Sequence, residues 1–317
     1  ELAEHLEPLG LHIDSDALVI VPSEDGPPEA EFPETSITEG FEGITLVPSA
    51  RDRLPTHSPI DTSSPLRPAG QDEYALIAPL PWIIETDRMT ANTGTYGTSQ
   101  PGLVTTEPRA NDLMLITEDN LLEAAGLIHN CSGMVLDLTQ MPVINDAEIE
   151  ALLVSLYSRM ADDSLVFLKD SVSRVEHLFR LVVDLDLDGA LVDVATAGGS
   201  RAAAALPRIG LVAQAMSLPK QGRKIMLKLD EAPSAEDLLI AIAAGCSAIV
   251  APAADDDVEA ALTWIDGIMR GWMLELGISN LSELTRRNLR ALDHDTAAIS
   301  GLRLIGYDRP LPMWLRN

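Results

Sequence analysis

Chemistry in this chain would have to come from a few short segments. Lys169 closes the apolar run Val166-Phe167-Leu168 and is followed by Asp170. A lysine so placed forms a structural ion pair, with Asp170 or Asp193 as the candidate partner. Gly198-Gly199 can turn the chain. Asn92-Thr93-Gly94 reads as a turn or a helix cap. Asp255-Asp256-Asp257 could hold a hard cation, which favours clustered carboxylates. The run more simply caps the helix that starts at Val258. His57, His129, His177 and His294 show no metal spacing, and no nucleophile–base pairing stands out. Cys131 and Cys246 sit in no C-x-x-C or Cys/His pattern, so they read as small buried hydrophobes of a reducing compartment. No catalytic residue and no metal ligand is assigned.

Positioning such residues requires rigid elements, and the chain supplies them. Apolar runs at 76–84, 113–117, 134–138, 165–169, 190–195, 224–229 and 248–251 are short and rich in Val, Ile and Leu. Runs of that kind are buried on both faces, as in parallel sheets. Helical patterns alternate with them. In 146–160 the positions Ile149, Leu152, Leu153, Leu156 and Met160 follow the i, i+3, i+4, i+7 spacing, with Asn145 or Asp146 as cap. Segments 172–185, 202–216, 235–244 and 258–276 read similarly, the last carrying Trp264 and Trp272. Asn280 or Ser282, and then Asp293 or His294, can cap further helices. Repeated βα units without antiparallel runs predict an α/β fold, a (β/α)8 TIM-type barrel. In such a barrel the site lies at the C-terminal ends of the strands.

The flanks differ in character. Residues 1–54 read as an acidic N-terminal arm, with Leu18-Val19-Ile20-Val21 and Gly43-Ile44-Thr45-Leu46-Val47 as short strands around a Pro-rich acidic stretch. Residues 55–277 hold the barrel, and 278–317 a helical tail with an extended end at Pro310-Leu311-Pro312-Met313-Trp314.

Charge narrows the partners. Asp and Glu number 49 against 22 Lys and Arg, for a net charge of −27. Nucleic acid and anionic membrane would both be repelled. A Lys-poor, acid-rich chain suits a high-salt cytoplasm, and GC-rich coding bias gives the same composition. No apolar run approaches the roughly 20 residues of a membrane helix, and no basic stretch leads an apolar one as in a signal peptide. The expected location is the cytoplasm. A start at Glu1 rather than Met leaves room for residues upstream.

Taken in order, these segments resemble the FMN-binding domain of the glutamate synthase family. Ser58-Pro59-Ile60-Asp61-Thr62 is similar to the family's opening segment, and Asn92-Thr93-Gly94-Thr95-Tyr96-Gly97 to its Asn-Thr-Gly-Glu-Gly-Gly loop. Val166-Phe167-Leu168-Lys169 resembles the strand with a cofactor-facing lysine. Asp193-Val194-Ala195-Thr196-Ala197-Gly198-Gly199-Ser200 resembles a strand and its Gly-Gly-Thr-Gly loop. Residues 277–306 resemble the helical tail, so the likeness covers about 55–307. It implies that any retained FMN would meet Asn92, Thr93, Gly94, Lys169, Gly198 and Gly199.

The departures lie where the cofactors would bind. The family holds the flavin phosphate on glycine-rich amides after the last two strands, where donors point at it unobstructed. Here those loops read Asp230-Glu231-Ala232-Pro233 and Ala251-Pro252-Ala253-Ala254-Asp255-Asp256-Asp257. Carboxylates repel phosphate, and Pro233 has no N–H to give. The family's iron–sulfur segment is missing, since no cysteine follows Cys246. The Gly-rich substrate loop expected near Cys131-Ser132-Gly133 is absent too. The expectation is a barrel that has lost flavin and iron–sulfur chemistry and works as a structural, regulatory or self-assembling subunit. Its partner would be another protein or further copies of itself. The alternatives are an FMN-dependent oxidoreductase with a remodelled site and a small-ligand module using the barrel mouth.

Overall fold

A computed structural model describes the backbone of residues 11–14 and 19–22, and residues 41–48, 80–86, 100–142, 145–194, 202–253, 258–278 and 280–307. The chain divides into two compact units, Glu1–Thr38 and Glu39–Asn317. The first contains an antiparallel pair, β1 (Leu11–Asp14) and β2 (Val19–Pro22). The second begins with β3 (Ile44–Leu46). This segment of the expected N-terminal arm thus lies in the same unit as the barrel.

Eight parallel strands close that barrel: β4 (Trp82–Thr86), β5 (Gly102–Val104), β6 (Leu113–Ile116), β7 (Gly133–Asp137), β8 (Leu165–Ser171), β9 (Gly189–Asp193), β10 (Lys224–Lys228) and β11 (Ala248–Ala251). Their spatial order follows the sequence, and β11 returns to β4 through the register Ile249↔Trp82. Trp82 is fully buried at this seam, where its indole Nε1 donates to the Ala251 carbonyl at 3.0 Å. Among the described residues, helices follow six of the eight strands: α1 (Leu121–Leu127), α2 (Asp146–Tyr157), α3 (Val175–Asp184), α4 (Ala202–Ala215), α5 (Ala235–Ala243) and α6 (Val258–Leu276). Asn145 caps α2 in a reciprocal pair with Glu148, the arrangement that satisfies two otherwise orphaned backbone donors.

The barrel strand absent from the sequence reading is β5. At three residues it is too short to show a periodicity. It passes to β6 through residues 105–112 without a helix. The fully buried Asp112 braces that connection: Oδ1 accepts from Gly102 N at 2.9 Å and Oδ2 from Arg109 N at 2.9 Å.

The C-terminal extension holds β12 (Leu289–Ala291), α7 (His294–Ser300) and β13 (Arg303–Leu304). Strand β12 pairs antiparallel with β3 and parallel with β13, making a second small sheet. Phe41, Ile44 and Leu46 bury their side chains in one core with the helix layer. Asp293 caps α7, whereas Asn280 caps only the 3-10 turn Leu281–Glu283.

Gly133 and Gly189 each open a strand against a close neighbour. A Cβ on Gly133 would lie 2.1 Å from the Leu165 carbonyl oxygen, and one on Gly189 2.0 Å from that of Lys224. Neither oxygen can yield without breaking the ladder it belongs to. Gly133→Ala and Gly189→Ala are each expected to destabilise by about 3 kcal/mol or to prevent folding. Urea denaturation midpoints measure this.

Candidate functional site: a charged layer at the barrel mouth

Side chains alternate between the two faces of a strand. Ile83, Leu103, Leu115, Val135, Phe167, Leu191, Met226 and Val250 fill the inside of the barrel as an apolar core. The next inward position on five strands is charged: Glu85, Asp137, Lys169, Asp193 and Lys228. Register places Asp137 opposite Lys169 and Lys228 opposite Asp193. The apolar layer is therefore topped, at the C-terminal mouth, by a layer of alternating sign.

Its centre is Lys169, 3% exposed, whose Nζ donates to Asp137 Oδ2 at 2.7 Å and lies 3.4 Å from Asp193 Oδ2. Asp137 is fully buried, and its Oδ1 accepts from both Thr139 N at 2.9 Å and Thr139 Oγ1 at 2.6 Å. Lys228 Nζ pairs with Glu85 Oε2 at 2.9 Å and approaches Asp230 Oδ1 to 3.3 Å. Burial pulls the Lys228 ammonium down, but the hydrogen bond and charge of Glu85, with Asp193 and Asp230 behind them, raise it above the ordinary lysine value. Both lysines are committed to carboxylates, which outnumber them in the layer.

The expected pairing of Lys169 with Asp193 is present, while that with Asp170 is not. Asp170 is the next residue on β8, so its side chain leaves by the opposite face. There Oδ1 accepts from Ser171 N at 2.8 Å, and Oδ2 lies 3.4 Å from Arg174 Nε without a hydrogen bond. Asp137, Glu85 and Lys228 were not singled out in the sequence. Each ends or follows an apolar run, and inward alternation from Val135, Ile83 and Met226 was the signal that could have found them. Cys131-Ser132-Gly133 lies at the opposite end of the barrel, because Gly133 opens β7. Asn92, Thr93, Gly94, Gly198, Gly199 and Asp255–Asp257 fall outside the described residues.

Other candidates are chemically quiet. Cys131 and Cys246 are buried free thiols. Burial pushes Cys246 up to about 12 and also raises Cys131, so neither supplies a ready thiolate. His177 Nε2 meets Asp146 Oδ1 at 2.9 Å in a surface cluster with Arg174 and Arg180. Among the described residues no group of three His, Cys, Asp or Glu is placed to hold a metal ion. Nor is any described helix long and apolar enough to cross a membrane.

No known family's sequence profile matches this chain, and no curated protein matches it. Two solved structures that resemble it do so distantly. An arginine decarboxylase of Paramecium bursaria Chlorella virus is 15% identical over 45% of this chain and 44% of its own, at a TM-score of 0.27. A mandelate racemase/muconate lactonizing enzyme is 10% identical over 54% and 53%, at a TM-score of 0.25. The matched part thus spans about half of each. The protein is a (β/α)8 barrel by its own closed sheet, and these likenesses say nothing of activity.

Two outcomes follow from the layer and its neighbour. Lys169→Met leaves the fully buried Asp137 without its cation, so a loss of about 3–5 kcal/mol is expected, read from denaturant unfolding. Burial raises the Asp170 carboxyl above its usual range, more than Ser171 N and Arg174 lower it. The folded state therefore binds that proton more tightly than the unfolded chain does. Its contribution to stability is full below the unfolded value of about 3.9 and is lost as pH rises through the folded one. Asp170→Asn should remove this contribution and flatten the pH–stability curve across that window, as thermal melts at a series of pH values would record.

Proposed function

We propose that this protein is a glutamate-synthase-like barrel that no longer performs flavin or iron–sulfur chemistry and serves as a structural, regulatory or self-assembling subunit. One observation carries the reading: Lys169, the residue that the resemblance assigns to the cofactor, is spent between Asp137 and Asp193 in a buried layer. The described residues do not fit FMN. Its phosphate needs convergent donors, whereas Asp230 and Glu231 at the end of β10 are exposed carboxylates and Pro233 has no N–H. Lys228 is held by Glu85. Releasing either lysine to a phosphate would strand buried or half-buried carboxylates, which costs several kcal/mol. A barrel kept without that chemistry is kept for its surface, and the partner is another protein or a second copy.

Titrating FMN into the purified protein and following flavin fluorescence tests the reading. No saturable binding is expected up to about 100 μM, a free energy of about −5.5 kcal/mol. Saturable binding in the low micromolar range would overturn the reading in favour of a remodelled flavoenzyme.

A further inference from the structure

We infer that two copies of this chain associate through the outward face of α6, crossing antiparallel at the level of Met269. This deepens the reading above and rests on its self-assembling form. Successive residues of a helix advance by about 100°. The exposed positions of α6 thus fall within roughly 60° of a single line along its surface. Beyond Ala260 they pair off about Met269, which is itself turned into the core. Gly267 matches Gly271, Trp264 matches Leu274, and Thr263 matches Glu275.

That symmetry is what a two-fold contact requires, because the same patch must complement itself. In an antiparallel pair each Gly267 would face the partner's Gly271, and each Trp264 the partner's Leu274. Crossing helices are closest at the centre and diverge toward their ends. Glycines at the centre and large apolar groups outside fit that shape. Trp264 is 66% exposed and Leu274 68% exposed, so neither is used by its own core. A Cβ on Gly267 or Gly271 would meet nothing within 4 Å. Glycine in a helix interior costs stability relative to other residues, and nothing among the described residues requires it at either position.

Charge favours a second copy as the occupant. Two chains of −27 repel wherever their acidic surfaces meet. Among the exposed positions of α6 only Glu275, at the C-terminal end of the stripe, is charged, and the flanking Asp266 and Arg270 pair with one another at 2.9 Å. Here two copies approach at low electrostatic cost, and the face offers a basic partner only Glu275 at its end. One helix from each copy buries less than the roughly 1,600 Å² of a standard interface. The dimer is accordingly expected in the micromolar range.

Sedimentation velocity across protein concentration, at about 0.1 M and about 1 M salt, is the test. The weight-average mass should rise toward twice the monomer value, and more so at high salt, where the mutual repulsion is screened. Gly267→Leu should abolish the rise without lowering the thermal midpoint, since its side chain has open space in the monomer and leucine favours helix. Trp264→Ala should weaken association at least tenfold. A wild type that stays monomeric, leaving the face to a different protein, overturns the inference. So does a dimer that persists in Gly267→Leu or dissolves as salt is raised. Flavin titration separates the two failures. A monomer that ignores FMN sinks the dimer alone, and a dimer that binds FMN tightly sinks the non-catalytic reading alone.

Discussion

The barrel mouth is governed by one electrostatic constraint: charges inside a closed sheet must neutralise one another. An isolated ion moved from water into a protein interior loses several kcal/mol even after relaxation. Asp137 is fully buried and Lys169 nearly so. Each is tolerable only because the other lies 2.7 Å away and the second carboxylate oxygen of Asp137 is filled by Thr139. Asp193 then links the two halves of the layer, lying 3.4 Å from Lys169 and acting on Lys228 through its charge. Removing one member therefore unbalances the rest. Net stability is a separate matter, since a buried ion pair often gains little over an apolar set of equal volume. What the layer supplies is definition. Apolar side chains could pack β7, β8 and β9 in several ways, whereas the charged pairs are matched only in the observed register.

The same constraint decides what the mouth can offer a ligand. A lysine serves as an anion clamp or a nucleophile when its amine is available. Here Lys169 and Lys228 donate to carboxylates already, and Glu85, Asp137 and Asp193 outnumber them. An anion entering the layer would compete with groups that are covalently held at hydrogen-bond distance, and it would meet residual negative charge. On the proposed reading, the described residues that make this layer self-consistent are also the ones that disfavour a phosphate there.

Legibility in the sequence followed the length of each signal. The runs that became β6 to β11 were visible because strands buried on both faces are apolar throughout, and their ends shifted by only a residue or two. Helix α6 was readable over its full span as a long apolar segment. Strand β5 left no such trace, because three residues cannot show a period and its brace, Asp112, acts through tertiary hydrogen bonds. Lys169 stood out as a charge closing an apolar run. Its main partner did not, because Asp137 lies 32 residues earlier and is brought opposite only by the β7–β8 register. Asp170, the obvious neighbour in sequence, was excluded by the alternation of the strand itself. Position along a chain says which residues are charged, and register says which charges meet.

Inside and outside of this barrel solve opposite electrostatic problems. Within the mouth, charge is dense and must be matched pair by pair. Over the surface, charge is abundant and mostly of one sign, so the informative stretches are those without it. Helix α6 is such a stretch, with glycines where a side chain would have open space and large apolar groups on either side. A chain carrying 49 acidic residues has ample means to cover a helix face with charge. Leaving this one bare spends helix propensity at Gly267 and Gly271 and exposes Trp264 and Leu274 to water. Both costs fall on the monomer, and on the inferred dimer a second copy covering the stripe would offset them.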